Sequence, residues 1–300
     1  MENRFDNSAS WIILSPIEQS IKRKIEAIGT PLKDWDVKIY RGILTGYNEA
    51  FIIDGKKKDE LIAADPKSAE IIRPILRGRD IKRYSYEFAN LYIIATFPSK
   101  MYNIDDYPAV KKYLLSFGIE RLEQTGKTYR LNGTTIKARK KTTNKWFETQ
   151  DSISYWDDFS KQKIIWGEIS DKPKFALDKK GEYSIVNTVF MMTGENLSYL
   201  ITFLNSKLSE YYFSQIATTT GVGTVRWLKY KIELLPIPPV NCINKTIVDK
   251  LEGLCDIKNT NDVSNLIDET IYTIYSFSDE EIALVSGFES KNAISSEERS

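Results

Sequence analysis

The chain has 300 residues, of which 42% are hydrophobic and 28% charged, and its formal net charge is +1. This composition suits one large globular domain or two modest ones and does not resemble that of a disordered chain. Histidine is absent and there are only two cysteines. These absences exclude Ser-His-Asp and Cys-His catalytic groups, His-Asn-His nuclease sites and cysteine-rich zinc sites.

The sequence shows no targeting or membrane signal. No apolar run approaches the roughly 20 residues that span a bilayer, and the first ten residues lack the basic and then apolar order of a signal peptide. Cys242 and Cys255 are too few for a disulfide framework. We therefore expect a cytoplasmic protein that does not contact a membrane.

Charge is distributed unevenly along the chain. From Asp249 onward there are 12 acidic and four basic side chains, a net charge of −8, which leaves +9 on the first 248 residues. A basic body with an acidic tail favours a polyanion as the partner of the body. Solubility charge that is merely scattered unevenly is the alternative.

The first predicted elements are a helix and a pair of strands. Ser15 and Glu18 form a capping box around Pro16, so a helix is predicted from there to Gly29. The β-rich stretch Val37–Ile53 contains two glycines and predicts two strands joined by a tight turn. A helix is predicted over Asp65–Leu76 and a strand over Leu91–Phe97.

The middle of the chain predicts further helices and strands. We expect a helix over Asp105–Glu123 with Pro108 in its first turn. Strands are predicted at Ile164–Ile169, Phe175–Leu177 and Tyr183–Met192, with a hairpin turn at 178–181 between the last two. The strongest helical pattern covers Asn196–Ile216, where leucines and isoleucines mark one buried face.

The prolines of Leu235–Pro239 are expected to block regular structure, and two or three helices are predicted after this stretch. One begins near Asp262, and another begins at Ser278 with a capping box completed by Glu281. The fold class is therefore α+β, with mixed twisted sheets, packed helices and a C-terminal helical tail. We expect a body over residues 1–240, a tail over 241–288 that packs on the body or on a partner, and frayed residues 289–300.

The segment Gly126–Gln150 carries most of the functional signal. It holds seven basic residues with no acid before Glu148, and Tyr129, Trp146 and Phe147 lie among them. Such a segment can neutralise phosphates while it presents side chains to base edges. A solvated basic loop is the alternative, and for Trp146 and Phe147 packing into the core is favoured over base stacking.

Two other segments are weaker candidates. The cluster Arg73, Arg77, Arg79, Lys82 and Arg83 fits either contacts to the DNA backbone or internal ion pairs. The run Thr218–Arg226 is rich in glycine and hydroxyl groups, which let a backbone approach a phosphate, but it lacks the Gly-Lys-Ser/Thr ending of a nucleotide-binding loop. A surface loop is the alternative there.

Catalytic motifs are missing from the sequence. There is no glycine-rich turn for S-adenosylmethionine and no Asn/Asp-Pro-Pro-Tyr/Phe tetrapeptide that would grip a target amine. Three short stretches, at 54–56, 178–180 and 256–258, fit the loose acid and lysine pattern of metal-dependent nucleases, and chance explains them in a chain rich in Asp and Lys. We therefore expect no enzymatic activity from this chain alone.

A series of motifs in fixed order resembles the TaqI-like C-terminal specificity domain over about residues 11–285. The motifs are GILTGYNEAFII (42–53), ILRGRDIKRY (75–84), LYIIATFP (91–98), KWFETQ (145–150), KIIWGEIS (163–170), FALDKKGEYSIVNTVFMMTG (175–194), YLITFLNSKLSEYYF (199–213), LPIP (235–238) and IDETIYTIYSFSDEEI (267–282). Each motif is modest alone, and together they are specific.

The resemblance implies a target recognition domain that reads a short duplex sequence, mainly from the major groove. In that family an adenine-specific methyltransferase domain modifies the flipped base with S-adenosylmethionine, and fused members add an endonuclease domain. The sequence starts where such a catalytic domain would end, so it is expected to be either an excised fragment or a separate specificity subunit. Activity is not carried over.

The sequence thus predicts a DNA-specificity module of a restriction-modification system that binds duplex DNA without a cofactor or metal of its own. S-adenosylmethionine and Mg²⁺ are expected only in partner domains, with an adenine-specific methyltransferase as the protein partner. One alternative is a protein-interaction subunit with little DNA affinity, and another is a Mg²⁺-dependent nuclease. The residues predicted to contact DNA are Arg130, Lys137, Arg139, Lys140, Lys141 and Lys145, supported by Arg77, Arg79 and Arg226.

Overall fold

The computed structural model describes residues 14–131, 133–216, 224–257 and 260–288. The helices are α1 Pro16–Ile28, α2 Asn48–Phe51, α3 Gly55–Ala64, α4 Pro108–Leu115, α5 Ile119–Leu122, α6 Leu197–Leu204, α7 Lys207–Ile216, α8 Lys229–Ile232, α9 Lys245–Cys255, α10 Asn261–Ile274 and α11 Asp279–Ser286. The strands are β1 Thr30–Pro31, β2 Val37–Arg41, β3 Ile52–Asp54, β4 Ile72–Leu76, β5 Ile81–Lys82, β6 Ser85–Tyr86, β7 Leu91–Ile94, β8 Thr128–Leu131, β9 Thr134–Lys137, β10 Lys163–Gly167, β11 Ile169–Ser170, β12 Phe175–Asp178, β13 Ser184–Ile185, β14 Val189–Gly194, β15 Val225–Arg226 and β16 Pro236–Ile237.

Two four-stranded sheets form the centre of the molecule. The first sheet has the order β12-β10-β14-β2, and all of its neighbouring strands are antiparallel. The second sheet has the order β13-β4-β7-β3 and is mixed, because β13 runs parallel to β4 while the other pairs are antiparallel. This confirms the predicted α+β class.

Alternating side chains of the first sheet point into two different cores. Ile164 and Trp166 pack in the core that contains α1, α6, α7 and the C-terminal helices, whereas Ile165 between them faces the second sheet. The second sheet behaves in the same way, because Ile93 faces the first sheet and Ile94 faces the core with α2 to α5. The layers are therefore helices, first sheet, second sheet, helices.

The chain crosses from one sheet to the other at Gly42, and this crossing makes the predicted hairpin over 37–53 wrong. β2 belongs to the first sheet and β3 to the second. At Gly42 an added Cβ would lie 2.2 Å from the backbone oxygen of Val186, and the next residue, Ile43, bridges to Val186. Glycine is required there by a close backbone approach and not by a turn between neighbouring strands.

Several other predicted elements are corrected. Residues 65–76 form a short 3₁₀ turn, Pro66–Glu70, and then β4, not one helix. β12 and β13 are not a hairpin, since β12 pairs with β10 and β13 with β4. The predicted helix over 105–123 is interrupted at Gly118, which has φ +85°, and the one over 196–216 is divided between α6 and α7.

The capping boxes at both ends of the chain are confirmed. Ser15 with Glu18 caps α1, and Ser278 with Glu281 caps α11. In these cases the hydrogen bonds join residues three positions apart, so the local sequence determines them.

The C-terminal helices pack against the body. Val248 and Leu251 of α9 and Ile267 and Ile271 of α10 are buried in the same core as Trp166 of the first sheet. The apolar face of the tail is thus already covered by the rest of the chain. The predicted frayed residues 289–300 lie outside the described residues.

Candidate nucleic-acid interface

A cleft of about 950 Å³ opens where strands of both sheets end. Arg41 ends β2, Arg77 follows β4, Glu168 follows β10 and Asn187 follows β13. Strand ends from two layers therefore bring polar side chains together at one edge of the double sheet. The remaining lining includes Asn48, Gly78, Arg79, Lys82, Gly167, Ile169, Asp171 and Lys174.

The cleft is predominantly basic, because five Lys and Arg side chains line it against two carboxylates. Lys174 pairs with Asp171 at 2.6 Å. Lys82 lies 3.9 Å from Glu87 and donates to the backbone oxygen of Arg79 at 3.3 Å. Arg79 itself is exposed and forms no salt bridge within the described residues.

Arg77 lines the cleft, but Asp80 neutralises it. The guanidinium donates through Nε and Nη2 to the two carboxylate oxygens at 2.9 and 2.8 Å, and the Arg77 amide adds a third hydrogen bond. Burial raises the pKa of Asp80, yet the hydrogen bonds and charge of Arg77 outweigh this and hold it below its usual value. Asp80 thus holds Arg77 within the 77–80 turn, while the contact of Arg77 with DNA stays a prediction.

Arg226 is connected to the cleft by a hydrogen bond to Glu168, which lines it. It lies on β15, which pairs with β11 so that Ile169 is opposite Arg226. Glu168 Oε1 accepts a hydrogen bond from Arg226, and Oε2 accepts one from Arg41 at 2.8 Å. Of the predicted run Thr218–Arg226, residues 218–223 lie outside the described residues.

The basic segment after Gly126 is a β-hairpin, β8 paired with β9, whose strands are largely exposed. The register places Thr128 opposite Lys137 and Arg130 opposite Thr135, so Arg130 and Lys137 share one face. Both cations are exposed. This hairpin was not predicted, although the Asn132-Gly133 pair in the sequence is a strong hairpin signal.

Arg139 is the clearest correction among the predicted DNA contacts. It is 2% exposed, and its guanidinium donates to four backbone oxygens, those of Leu122, Thr45, Glu148 and Trp146, at 2.6 to 2.8 Å. Burial lowers its pKa to about 10, so it stays charged at neutral pH. Arg139 therefore joins segments of the fold by hydrogen bonds and is too deeply buried to contact DNA.

The lysines that follow Arg139 are exposed. Lys140, Lys141 and Lys145 form no salt bridge within the described part of the chain. Lys140 and Arg41 both act on the carboxylate of Asp151, whose pKa burial raises and these two cations lower.

Trp146 and Phe147 of the same segment pack inward, as predicted. Phe147 is 4% exposed and Trp146 packs beside it against the core of the second helical layer. Of the predicted residues, the cleft thus brings together Arg77, Arg79 and, through Glu168, Arg226. Arg130, Lys137, Lys140, Lys141 and Lys145 are exposed but do not line it.

The cleft also contains residues that the sequence did not single out. Arg41, Glu168 and Asn187 are isolated in sequence and meet only because their strands end together. Asn48 belongs to the Thr45–Asn48 turn, in which the Thr45 hydroxyl donates to the Asn48 side-chain oxygen at 2.7 Å. Charge clusters in the sequence could not reveal these positions.

The described residues contain no group of three or more Asp, Glu, His or Cys side chains that could hold a metal ion. In the same part of the chain, no helix combines the length and apolar character needed to cross a membrane.

The chain matches one family model and is similar to solved structures. The family model described as TaqI-like C-terminal specificity domain matches residues 73–237. The chain is similar to the type IIG restriction endonuclease BpuSI, with a TM-score of 0.56 and 14% identity, over 90% of this chain and 31% of BpuSI. It is also similar to the type IIL restriction-modification enzyme MmeI in complex with DNA, with a TM-score of 0.49 and 10% identity, over 86% of this chain and 36% of MmeI. The chain spans about a third of the length of each enzyme, and the likeness to BpuSI shows a shared fold.

Proposed function

Because the chain belongs to the TaqI-like C-terminal specificity domain family, we propose that it is the duplex-DNA recognition module of a restriction-modification system. It directs an adenine-specific methyltransferase, and in fused assemblies a nuclease, supplied by another domain or subunit. S-adenosylmethionine and Mg²⁺ belong to those partners, and this chain performs no catalysis itself. The observation that carries the proposal is the basic cleft at the strand ends.

The charge of the cleft supports DNA as the ligand. Arg79 is exposed without a salt bridge in the described residues, and the carboxylate of Glu168 is shared by two arginines. Cations in such a site can neutralise phosphates and release the counterions that surround a duplex. The cleft therefore provides an electrostatic footprint that does not depend on sequence, and base contacts can be added to it.

The exposed hairpin extends the proposed surface. A two-stranded β-ribbon fits the major groove of B-DNA, and the shared face of β8 and β9 carries Arg130 and Lys137. Lys140 and Lys141 follow directly on the chain and are exposed. We assign the hairpin and these lysines to contacts that position the duplex over the cleft.

The proposal predicts salt-dependent binding of a duplex by the full chain. Fluorescence anisotropy with a labelled 30-base-pair duplex should give a log-log slope of about −0.9 per phosphate contacted. Replacing Lys140, Lys141 and Lys145 together by alanine should weaken binding by about 10-fold or more at low salt and reduce the slope by up to about 3. Arg139 is left intact because it is buried.

A second triple variant controls for the loss of charge. Lys22 on α1 and Lys245 and Lys250 on α9 are exposed and lie in the helical layer on the other side of the first sheet. Their replacement by alanine changes the net charge equally and should alter affinity by less than the first triple variant does. Equal losses in the two variants, or no binding of the wild-type chain at low salt, would refute the proposal.

Absence of DNA binding would favour the alternative of a protein-interaction subunit. The tail helices are poor candidates for its docking surface, because Val248, Leu251, Ile267 and Ile271 are buried against the body. For the same reason, deletion of the tail would remove part of the core and would not test docking cleanly.

A further inference from the structure

Glu168 is a nearly buried carboxylate whose two oxygens are held by two different arginines. Arg41 donates from Nη2 to Oε2 at 2.8 Å, and Arg226 donates from Nη2 to Oε1. The Glu168 side chain is 9% exposed, whereas those of Arg41 and Arg226 are 53% and 47% exposed. One carboxylate therefore pairs with two guanidinium groups, and the three side chains together keep a net positive charge beside the cleft.

The backbone around Glu168 is fixed on both sides. Its N–H donates to the oxygen of Thr188 at 2.8 Å, and its carbonyl accepts from the N–H of Trp227 at 2.8 Å. The next residue, Ile169, pairs with Arg226 between β11 and β15. The carboxylate thus projects from a backbone that hydrogen bonds hold in place, and the same pairing fixes the position of Arg226.

Arg41 has one edge of its guanidinium occupied and one edge open. Nε donates to the backbone oxygen of Asn187 and Nη2 to Glu168. Within the described residues, Nη1 forms no hydrogen bond, and Nη2 carries a second hydrogen besides the one that it donates to Glu168. This outer edge carries two parallel donors, which match the O6 and N7 acceptors of guanine in the major groove.

The cleft of about 950 Å³ leaves room for a base edge to approach Arg41, which lines it, and Arg226 lies beside it, hydrogen-bonded to the cleft residue Glu168. Gly78 and Gly167 face each other there, and a Cβ added at Gly78 would meet only backbone atoms, at 3.8 Å or more. Both glycines line the same cleft as Arg41 and Glu168.

We propose that Arg41 and Arg226 are specificity-determining residues that read guanine through O6 and N7, and that Glu168 is the positioning residue that fixes both guanidinium groups before DNA binds. A guanidinium that is already oriented loses less conformational entropy when it forms a bidentate pair. This inference rests on the proposed function, because it names how the same cleft selects a sequence.

Selection from a randomised duplex library tests the inference. The full wild-type chain should enrich a motif that contains guanine. Arg41→Lys and Arg226→Lys keep the charge but lose the bidentate fork, so each should abolish the preference at a particular guanine and weaken binding of the enriched duplex about 10-fold. In the same duplex, 7-deazaguanine at that position should weaken wild-type binding about equally, because it lacks the N7 acceptor.

Two further variants separate positioning from charge and from stability. Glu168→Gln keeps the shape but not the charge, and should reduce the preference for guanine while urea unfolding confirms that the chain stays folded. Arg79→Ala removes a cleft cation that is not part of the arginine pair and that forms no salt bridge within the described residues. It should weaken binding to all duplexes alike and lower the salt slope by about 1, with the enriched motif unchanged.

The outcomes distinguish this inference from the proposed function. If the chain binds the library but enriches no guanine, or if the motif is unchanged in both lysine variants, the assignment of Arg41 and Arg226 is overturned while DNA binding stands. If the wild-type chain binds no duplex at low salt, the proposed function fails and the assignment falls with it.

Discussion

Replacing Arg139 by alanine should destabilise the fold and not remove a DNA contact. The guanidinium donates to the backbone oxygens of Leu122, Thr45, Glu148 and Trp146. Three of these segments carry the site: the Thr45–Asn48 turn reaches the cleft, the chain after Leu122 leads into the hairpin, and Trp146 follows the exposed lysines. Arg139 therefore stabilises the parts on which the proposed DNA-binding surface is built.

The expected loss of stability in Arg139→Ala follows from the backbone oxygens that lose their hydrogen-bond donor. A buried acceptor that loses its donor costs about 1–3 kcal/mol, and four are affected. Glu148 O keeps a second donor, the side-chain amide of Gln124 at 3.0 Å. The variant also avoids the cost of burying a charge, a cost that is evident in the pKa of Arg139, which burial lowers to about 10. We expect a net loss of about 3–5 kcal/mol in the free energy of unfolding.

Urea unfolding followed by tryptophan fluorescence measures this loss. Lys140→Ala is the matched control, because Lys140 is the next residue and is exposed. It should change the free energy of unfolding by less than about 0.5 kcal/mol while it weakens DNA binding. Arg139→Lys keeps the charge but cannot reach four oxygens with one ammonium group, so it should be intermediate in stability.

The opposite pattern of stability and binding would contradict a structural role for Arg139. If Arg139→Ala unfolds with the free energy of the wild type and yet binds duplex DNA 10-fold more weakly, then Arg139 is a DNA contact and its buried position is wrong. If Lys140→Ala loses several kcal/mol, the exposed position of Lys140 is wrong.

Asp268 and Gly42 lead to two further predictions, both measured by urea unfolding. Burial raises the pKa of Asp268 to about 6, above its unfolded value of about 3.9, so the folded state binds the extra proton and stability falls as pH rises from about 4 to 6. Asp268→Asn mimics the neutral form and should match wild type near pH 4 but exceed it by up to about 3 kcal/mol at pH 7; equal stability at both pH values would contradict this. Gly42→Ala places a Cβ 2.2 Å from the oxygen of Val186 and should cost about 2–3 kcal/mol. Its control, Gly253→Ala in α9, meets no atom within 4 Å and should stabilise by about 0.5–1 kcal/mol.

The sequence predicted those elements whose cause is local. The boxes around Ser15 and Ser278 depend on hydrogen bonds within a few residues, and both are present. Strand pairing was predicted poorly, because it depends on residues far apart in the chain. Both sheets are covered on both faces, so β10 and β14 are continuously buried and their alternation does not appear as a polar and apolar pattern.

The candidate site was predicted only where charges cluster in sequence. The density of cations in 126–150 indicated an exposed basic segment, and Arg130, Lys137 and Lys140 are indeed exposed. Because Arg139 lies among these cations, it was predicted to be exposed as well. It is buried instead, since it donates to carbonyl groups of segments as distant as Thr45. Arg41 was missed for the reverse reason, since it stands alone in sequence and meets Glu168 only through strand pairing.

The contrast between Arg139 and Arg41 suggests how such a module can change its target without losing its fold. Arg139 bonds the backbone of four segments, so almost any replacement disturbs the scaffold. Arg41, Glu168 and Arg226 lie at strand ends beside an open cleft, and their side-chain contacts are mainly with one another. Residues at the edge of a rigid scaffold can vary with little effect on the core. Because Glu168 fixes both arginines, a change of target at this cleft should require coordinated replacement of all three residues, and a single replacement should relax specificity without creating a new one.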